Sequence, residues 1–217
     1  MEKEVKVGNI TFGNKPFVFI GGPCVIEGLD ITLGIAEKLK SITSALSLPF
    51  IFKSSYDKAN RTSIKSFRGP GLEEGLKILG LVKENLGIPV LTDVHSVEES
   101  KLAATVVDIL QVPALLSRQT DLLVACGKTG KPVNIKKGQF LSPNDMQHAV
   151  EKVESTGNSR IMITERGTYF GYNNLVNDFR AIPIMKSFGY PIIFDATHSV
   201  QKPGGMFAVS GGEREFV

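Results

Sequence analysis

The stretch PVLTDV (89–94) is an apolar, β-rich run that opens on Pro89 and ends on a charge at Asp93, with His95 just past it. Runs of the same make recur as FVFIGG (17–22), PFIFKSS (49–55), ILQVPA (109–114), PVNIKKG (132–138), RIMITERG (160–167) and PIIFDATH (191–198). They are nearly continuous in apolar character rather than alternating, which is the pattern of strands covered on both faces in a parallel sheet. The stretches between them read as helices: ITLGIAEKLKSITSAL (31–46), GLEEGLKILGLVKENLG (71–87) and SPNDMQHAVEKVEST (142–156), the last opening on an N-cap at Ser142 before Pro143. Strand starts fall roughly 30 residues apart, the repeat of a (β/α)8 TIM barrel of about 250 residues.

Seven strands are visible, and GGEREFV (211–217) falls where the seventh helix should begin. The expectation is therefore α/β, one incomplete TIM-barrel domain over 1–217 that lacks its last strand and helix. A doubly wound sheet is the alternative, but no G-x-G-x-x-G follows the first strand. Ahead of the barrel, EVKVGNITFGNKPF (4–17) is expected to form a hairpin that turns at Gly13 and Asn14 and caps the bottom.

Composition narrows the class of function. A formal charge of +3, with 25 Lys and Arg among 22 Asp and Glu, is too even for a nucleic-acid partner. No apolar run reaches the roughly 20 residues of a membrane span, and the charged start MEKEVKVG does not suit a signal peptide. With Cys24 and Cys126 as the only cysteines, a disulfide framework is not expected, and the cytoplasm is the expected compartment.

The polar residues gather at the C-terminal tips of the strands. Cys24 and Glu27 follow the first, Lys53 the second, Asp93 and His95 the third, and Gln111 the fourth. Lys136 and Lys137 end the fifth, Glu165 and Arg166 the sixth, Asp195 and His198 the seventh. In a parallel barrel these tips share the face that carries active sites. A single strand-end Lys or Arg is usually a solvated charge; agreement at all seven tips points to a site. Cys126 reads as a buried helical thiol, and His148 receives no role.

Lys53, Lys58, Arg61, Arg68, Arg118, Lys136 and Arg166 together could surround one cavity. Cations so concentrated repel one another and call for a polyanion, so small phosphorylated substrates are expected. A Lys among cations could instead form a Schiff base, as in a class I aldolase. Cys24 and His198 could form part of a site for a divalent metal ion such as zinc or iron.

These residues resemble the 3-deoxy-manno-octulosonate 8-phosphate (Kdo-8-phosphate) synthases. The motifs are FKSSYDKANRTSIKSFRGPG (52–71), LQVPALLSRQTDLL (110–123), NIKKGQF (134–140), TERGTYFGYNNLVNDFR (164–180) and FDATHSVQKPGG (194–205). The resemblance implies a TIM barrel in a homotetramer, and condensation of phosphoenolpyruvate with arabinose 5-phosphate and water for lipopolysaccharide. It implies that Lys53, Lys58, Lys136 and Arg166 hold phosphoenolpyruvate, with Gln111 and Ala114 at its phosphate. Asn60, Arg61, Thr62 and Asp93 would meet arabinose 5-phosphate, and Arg118 would reach that sugar's phosphate from a neighbouring subunit. Lys136, Asn60 and His198 are the implied catalytic residues.

Cys24 places the chain on the metal-dependent branch, whose ion is zinc, iron or manganese. Cys24 and His198 match two ligands, and the other two, a Glu and an Asp, are expected past Val217. Gly28 and Thr62 stand where many members have Ser, and Ser96 where Glu is common. Two alternatives are carried forward. One is a heptulosonate 7-phosphate synthase, although that family reads Lys-Pro-Arg-Thr where this chain has KANRT (58–62). The other is a non-catalytic structural fragment.

Overall fold

The computed structural model describes residues 3–206 and 209–217. A hairpin comes first, β1 (Val5–Val7) against β2 (Ile10–Phe12). There follow β3 (Phe19–Gly21), α1 (Leu29–Ala45), β4 (Phe50–Lys53), α2 (Leu72–Leu86), β5 (Val90–Asp93), α3 (Val97–Ala103), β6 (Ile109–Val112) and a 3₁₀ turn at Ala114–Leu116. Next are α4 (Thr120–Lys128), β7 (Val133–Lys136), α5 (Met146–Glu154), β8 (Ile161–Glu165) and a short hairpin of β9 (Thr168–Tyr169) and β10 (Leu175–Val176). The chain continues through α6 (Ala181–Lys186), β11 (Ile192–Phe194), α7 (Ala196–Ser199), β12 (Gln201–Met206) and β13 (Val209–Gly212), with a final 3₁₀ turn at Arg214–Phe216.

Seven strands form one parallel sheet in the order β3-β4-β5-β6-β7-β8-β11, so each pairs with its neighbour in the chain. A doubly wound sheet reverses its order at a switch point. This one does not, and it is the winding of a partial (β/α)8 barrel. Among the described residues no eighth strand joins the sheet, since β12 and β13 pair with each other.

Two apolar clusters explain why the strand sequences hardly alternate. On the helix side, Phe50, Phe52, Val90, Leu110, Val112, Val133, Ile135, Ile161 and Ile163 share a core with Leu79 of α2, Leu123 of α4 and Val153 of α5. On the other face, Ile51, Leu91, Ile109 and Met162 pack against Val5, Val7, Ile10 and Phe12. The N-terminal hairpin thus plugs the barrel, and each of its four buried side chains contributes roughly 1.5–3 kcal/mol. Its turn lies at Gly8–Asn9, not at the expected Gly13–Asn14, because Val7 pairs with Ile10. Gly8 supplies the positive φ of 59° that a two-residue hairpin loop asks of a glycine.

Helix α2 is the best punctuated, with Glu73 and Glu74 in its first turn, Lys83 in its last and Gly87 in the left-handed region beyond it. Helix α5 starts at Met146 rather than at Ser142. The amides of Asp145, Met146, Gln147 and His148 each reach back three residues, so the turn after Pro143 is wound tighter than an α-helix.

Candidate active site

Because the strands are parallel, their C-terminal tips open on one cavity of about 480 Å³. Pleating decides which side chains enter it. On the inner face, one step of two residues beyond the apolar plug brings Ile51 to Lys53, Leu91 to Asp93, Ile109 to Gln111 and Met162 to Thr164. Gly22, just past β3, lies against the tip of β4, where an added Cβ would stand 2.1 Å from the Lys53 carbonyl oxygen.

Five of the seven candidate cations line this cavity: Lys53, Lys58, Arg61, Lys136 and Arg166. Asn60, Thr62, Asp93, Ala114, Cys24 and His198 line it as well. Arg68 is instead paired with Asp57 at the surface. Arg118 lines a second cavity, of about 290 Å³, with Asp145, His148 and Lys152. Lys137, adjacent to Lys136, is fully buried, lies 3.5 Å from Glu165 and donates to Thr168 Oγ1 at 2.9 Å, which ties β7 to β9. It is a structural cation.

Asp93 is the hub of one side of the cavity. Its Oδ2 accepts from the Ser55 hydroxyl and stands 3.3 Å from Lys58 Nζ and 3.5 Å from Lys53 Nζ. Burial pushes the Asp93 carboxyl up, but Lys53, Lys58 and Lys136 outweigh that and hold it well below the usual range. Burial also dominates at Lys53, which falls to about 8 despite Asp93.

Gln111 lies under the cavity rather than in its wall. Its Nε2 donates to Asp93 Oδ1, and its Oε1 accepts from Asn134 Nδ2 at 2.8 Å. Asn134 Oδ1 in turn accepts from Thr164 Oγ1 at 2.7 Å. A buried polar ladder thus crosses β8, β7, β6 and β5, with every amide oriented by the carboxylate at its end.

On the opposite side, Lys136 Nζ donates to Asp195 Oδ2 at 2.6 Å, and His198 Nδ1 lies 2.8 Å from the same oxygen. A carboxylate only accepts, so Nδ1 carries a hydrogen, and Nε2 is left free for a second partner. That Nε2 lies 3.9 Å from Cys24 Sγ. Burial raises the Cys24 thiol, yet His198, Lys58 and Lys53 together bring it down to about 6. Sulfur and nitrogen ligands of one tetrahedral ion stand roughly 3.6 Å apart, given bonds of about 2.3 and 2.0–2.1 Å. Cys24 and His198 therefore fit a borderline-soft divalent ion as two of its ligands. Among the described residues no group of three or more His, Cys, Asp or Glu could complete such a site. Cys126 is buried in α4, where desolvation pushes its thiol up to about 12 and leaves it inert.

Arg166 is 4% exposed; its Nη2 donates to the His198 carbonyl and to Gln201 Oε1, each at 3.1 Å. Its Nη1 is buried with no hydrogen-bond partner among the described residues. A guanidinium edge left in that condition is costly unless an anion meets it.

Sequence reasoning missed Ser55, Asn134, Gln139 and Glu99. Ser55 and Asn134 look like ordinary small polar residues, and only strand pairing brings them to Asp93 and Gln111. Gln139 lines the cavity from the loop after β7.

The profile of the DAHP synthetase I family matches residues 2–217. Among curated proteins the chain is similar to those named 2-dehydro-3-deoxyphosphooctonate aldolase. That of Geobacter metallireducens is 60% identical over 218 residues, covering 100% of this chain and 80% of the relative. That of Trichlorobacter lovleyi is 61% identical with the same coverage. The protein from Syntrophobacter fumaroxidans is 64% identical over 207 residues, covering 95% of this chain and 72% of its own length.

Proposed function

Since the chain belongs to the DAHP synthetase I family, within its 2-dehydro-3-deoxyphosphooctonate aldolase group, we propose that it condenses phosphoenolpyruvate, arabinose 5-phosphate and water to Kdo 8-phosphate and inorganic phosphate. The observation that carries this reading is one cavity lined by five cationic side chains, Lys53, Lys58, Arg61, Lys136 and Arg166, and, among the described residues, by one carboxylate, Asp93, with Asp195 paired to Lys136. Two phosphorylated anions held side by side supply the missing charge.

Lys53, Lys58, Lys136 and Arg166 receive phosphoenolpyruvate, while Asn60, Arg61 and Thr62 receive the sugar phosphate. The enol carbon attacks the aldehyde carbon, and water adds to the carbon left cationic. The water gives up two protons: one goes to the aldehyde oxygen, and the other goes to phosphate as its C–O bond breaks and the water oxygen becomes the ketone. Lys136 and Arg166 are already in place as charge develops, so little reorganisation is needed in the transition state. Cys24 and His198 would hold a divalent ion, which when bound supplies Lewis acidity toward the water or the aldehyde. In the same reading the enzyme is a cytoplasmic homotetramer. Two unpaired cysteines suit a reducing compartment, and Arg118, apart from the Lys136 cavity, is available to a neighbour's site.

The test is phosphate release from phosphoenolpyruvate with arabinose 5-phosphate and, in parallel, erythrose 4-phosphate. Turnover with the five-carbon sugar phosphate is expected. Preference for the four-carbon one would make the protein a heptulosonate synthase, and trapping of a Lys adduct by borohydride would move it to Schiff-base chemistry.

A further inference from the structure

Next to His95, which lines this cavity, a single carboxylate oxygen collects three donors. Glu99 Oε2 accepts from Tyr56 Oη at 2.6 Å and from the His95 backbone nitrogen at 2.8 Å, and it lies 2.9 Å from His95 Nδ1. Glu99 is held in place because Ser96, the N-cap of α3, accepts from its amide at 3.1 Å. Tyr56 is 1% exposed; Gly75 of α2 leaves the room it fills, since a Cβ there would meet Tyr56 Cβ at 2.2 Å. The Tyr56 and His95 rings meet edge to face at 5.8 Å and 89°. Burial raises the Glu99 carboxyl, but its bonds to His95 and Tyr56 bring it down to about 2, so it accepts at any working pH.

A carboxylate has no hydrogen to give, so His95 Nδ1 must carry one, and the neutral ring then holds its lone pair on Nε2. His95 lines the cavity, and its Nε2 has no hydrogen-bond partner among the described residues. The neighbouring wall is rich in donors, from Lys53, Lys58, Lys136 and Arg166. Asp93 is already engaged by Ser55, Gln111 and two lysines. A polyhydroxylated substrate needs acceptors for its hydroxyl hydrogens, and these groups do not offer them.

We propose that His95 touches the sugar phosphate as a fixed hydrogen-bond acceptor for one of its hydroxyls, and that Glu99 is the positioning residue that sets the ring's tautomer. This rests on the site reading given above. The protein has three histidines, His95, His148 and His198, so its ring nitrogens can be resolved by long-range ¹H–¹⁵N NMR on histidine-labelled protein. The resonance that disappears in His95→Ala identifies His95. The result expected is a neutral ring with hydrogen on Nδ1 in the unsubstituted protein, and a shift toward the Nε2–H form in Glu99→Ala.

Steady-state kinetics give the second readout. His95→Ala and Glu99→Ala each raise KM for arabinose 5-phosphate about tenfold, the scale of one lost hydrogen bond, and leave KM for phosphoenolpyruvate within about twofold. His95→Gln, whose amide oxygen can stand where Nε2 stood, recovers most of the loss, and Glu99→Gln, which can still accept from Nδ1, recovers part of its own. An unchanged sugar KM in His95→Ala overturns the proposal, as does a Glu99→Ala ring that keeps hydrogen on Nδ1. A proportional rise in both KM values assigns the pair to structure alone and overturns it too. Should Glu99→Ala not fold, Glu99→Gln and Tyr56→Phe carry the same comparison. An unsubstituted protein that releases no phosphate with this sugar sinks the site reading and the proposal with it. Normal turnover with an indifferent His95→Ala sinks the proposal alone.

Discussion

The Asp195 carboxylate lies 2.6 Å from Lys136 Nζ, and the same oxygen receives His198 Nδ1 at 2.8 Å. One acid thus aims a candidate substrate-binding cation and a candidate metal ligand together. Asp195→Asn keeps the shape and removes the charge. It is expected to lower kcat by about 10²-fold and divalent-metal affinity by roughly 10–100-fold, as loss of a ligand's orienting partner does. Metal titration and phosphate release measured on one preparation check both; loss of one without the other would uncouple the two roles.

Lys53 gives a pH signature. Its ammonium is lowered to about 8, chiefly by burial. In the folded protein it loses its proton as pH rises through that value, while the unfolded chain keeps its proton until about 10.4. Phosphoenolpyruvate affinity is therefore expected to fall as pH rises from 7 to 9, and Lys53→Arg to flatten that dependence. Equal slopes by calorimetry in the two proteins would assign the effect elsewhere.

Cys24→Ser tests the metal pair without relying on turnover. A hydroxyl in place of the sulfur is expected to reduce the divalent metal retained after dialysis, measured by elemental analysis, with activity falling in step. Retention equal to that of the unsubstituted protein would remove Cys24 from the ligand set.

Arg118 lies in a different cavity from Lys136. Arg118→Ala is expected to raise KM for arabinose 5-phosphate well above any change for phosphoenolpyruvate. Hybrids of Arg118→Ala with Lys136→Ala subunits should regain activity, because some sites then receive both residues intact. Hybrids confirmed by mass that stay inactive would assign Arg118 to its own subunit.

The tips of the strands were legible because direction is shared in a parallel sheet: once Lys53, Asp93, Lys136 and Asp195 end their runs, they must face one cavity. Of two neighbours, Lys136 and not Lys137 was expected at the cavity, and Lys136 lines it. Lys136 and Lys137 are chemically alike, and only the pleat sends one to Asp195 and the other to Glu165. The hairpin turn shows a limit, since Gly8–Asn9 and Gly13–Asn14 are the same dipeptide. What separates them is the barrel interior, which takes up Val5, Val7, Ile10 and Phe12. Glu99 was hidden for another reason: its three donors come from two elements, and nothing near it in sequence announces Tyr56.

The ladder from Thr164 through Asn134 and Gln111 to Asp93 also bears on how the strands find their places. β5, β6 and β7 are buried at every position, so a slide of two residues would trade one apolar side chain for another at little cost. Such a slide would leave several polar groups buried without partners, at about 1–3 kcal/mol each. Asp93 faces Gln111, and Gln111 faces Asn134, in adjoining strands. These few polar side chains act as a detent among interchangeable hydrophobic ones: they stop the strands at the single offset that brings Lys53, Lys136 and Arg166 to one cavity.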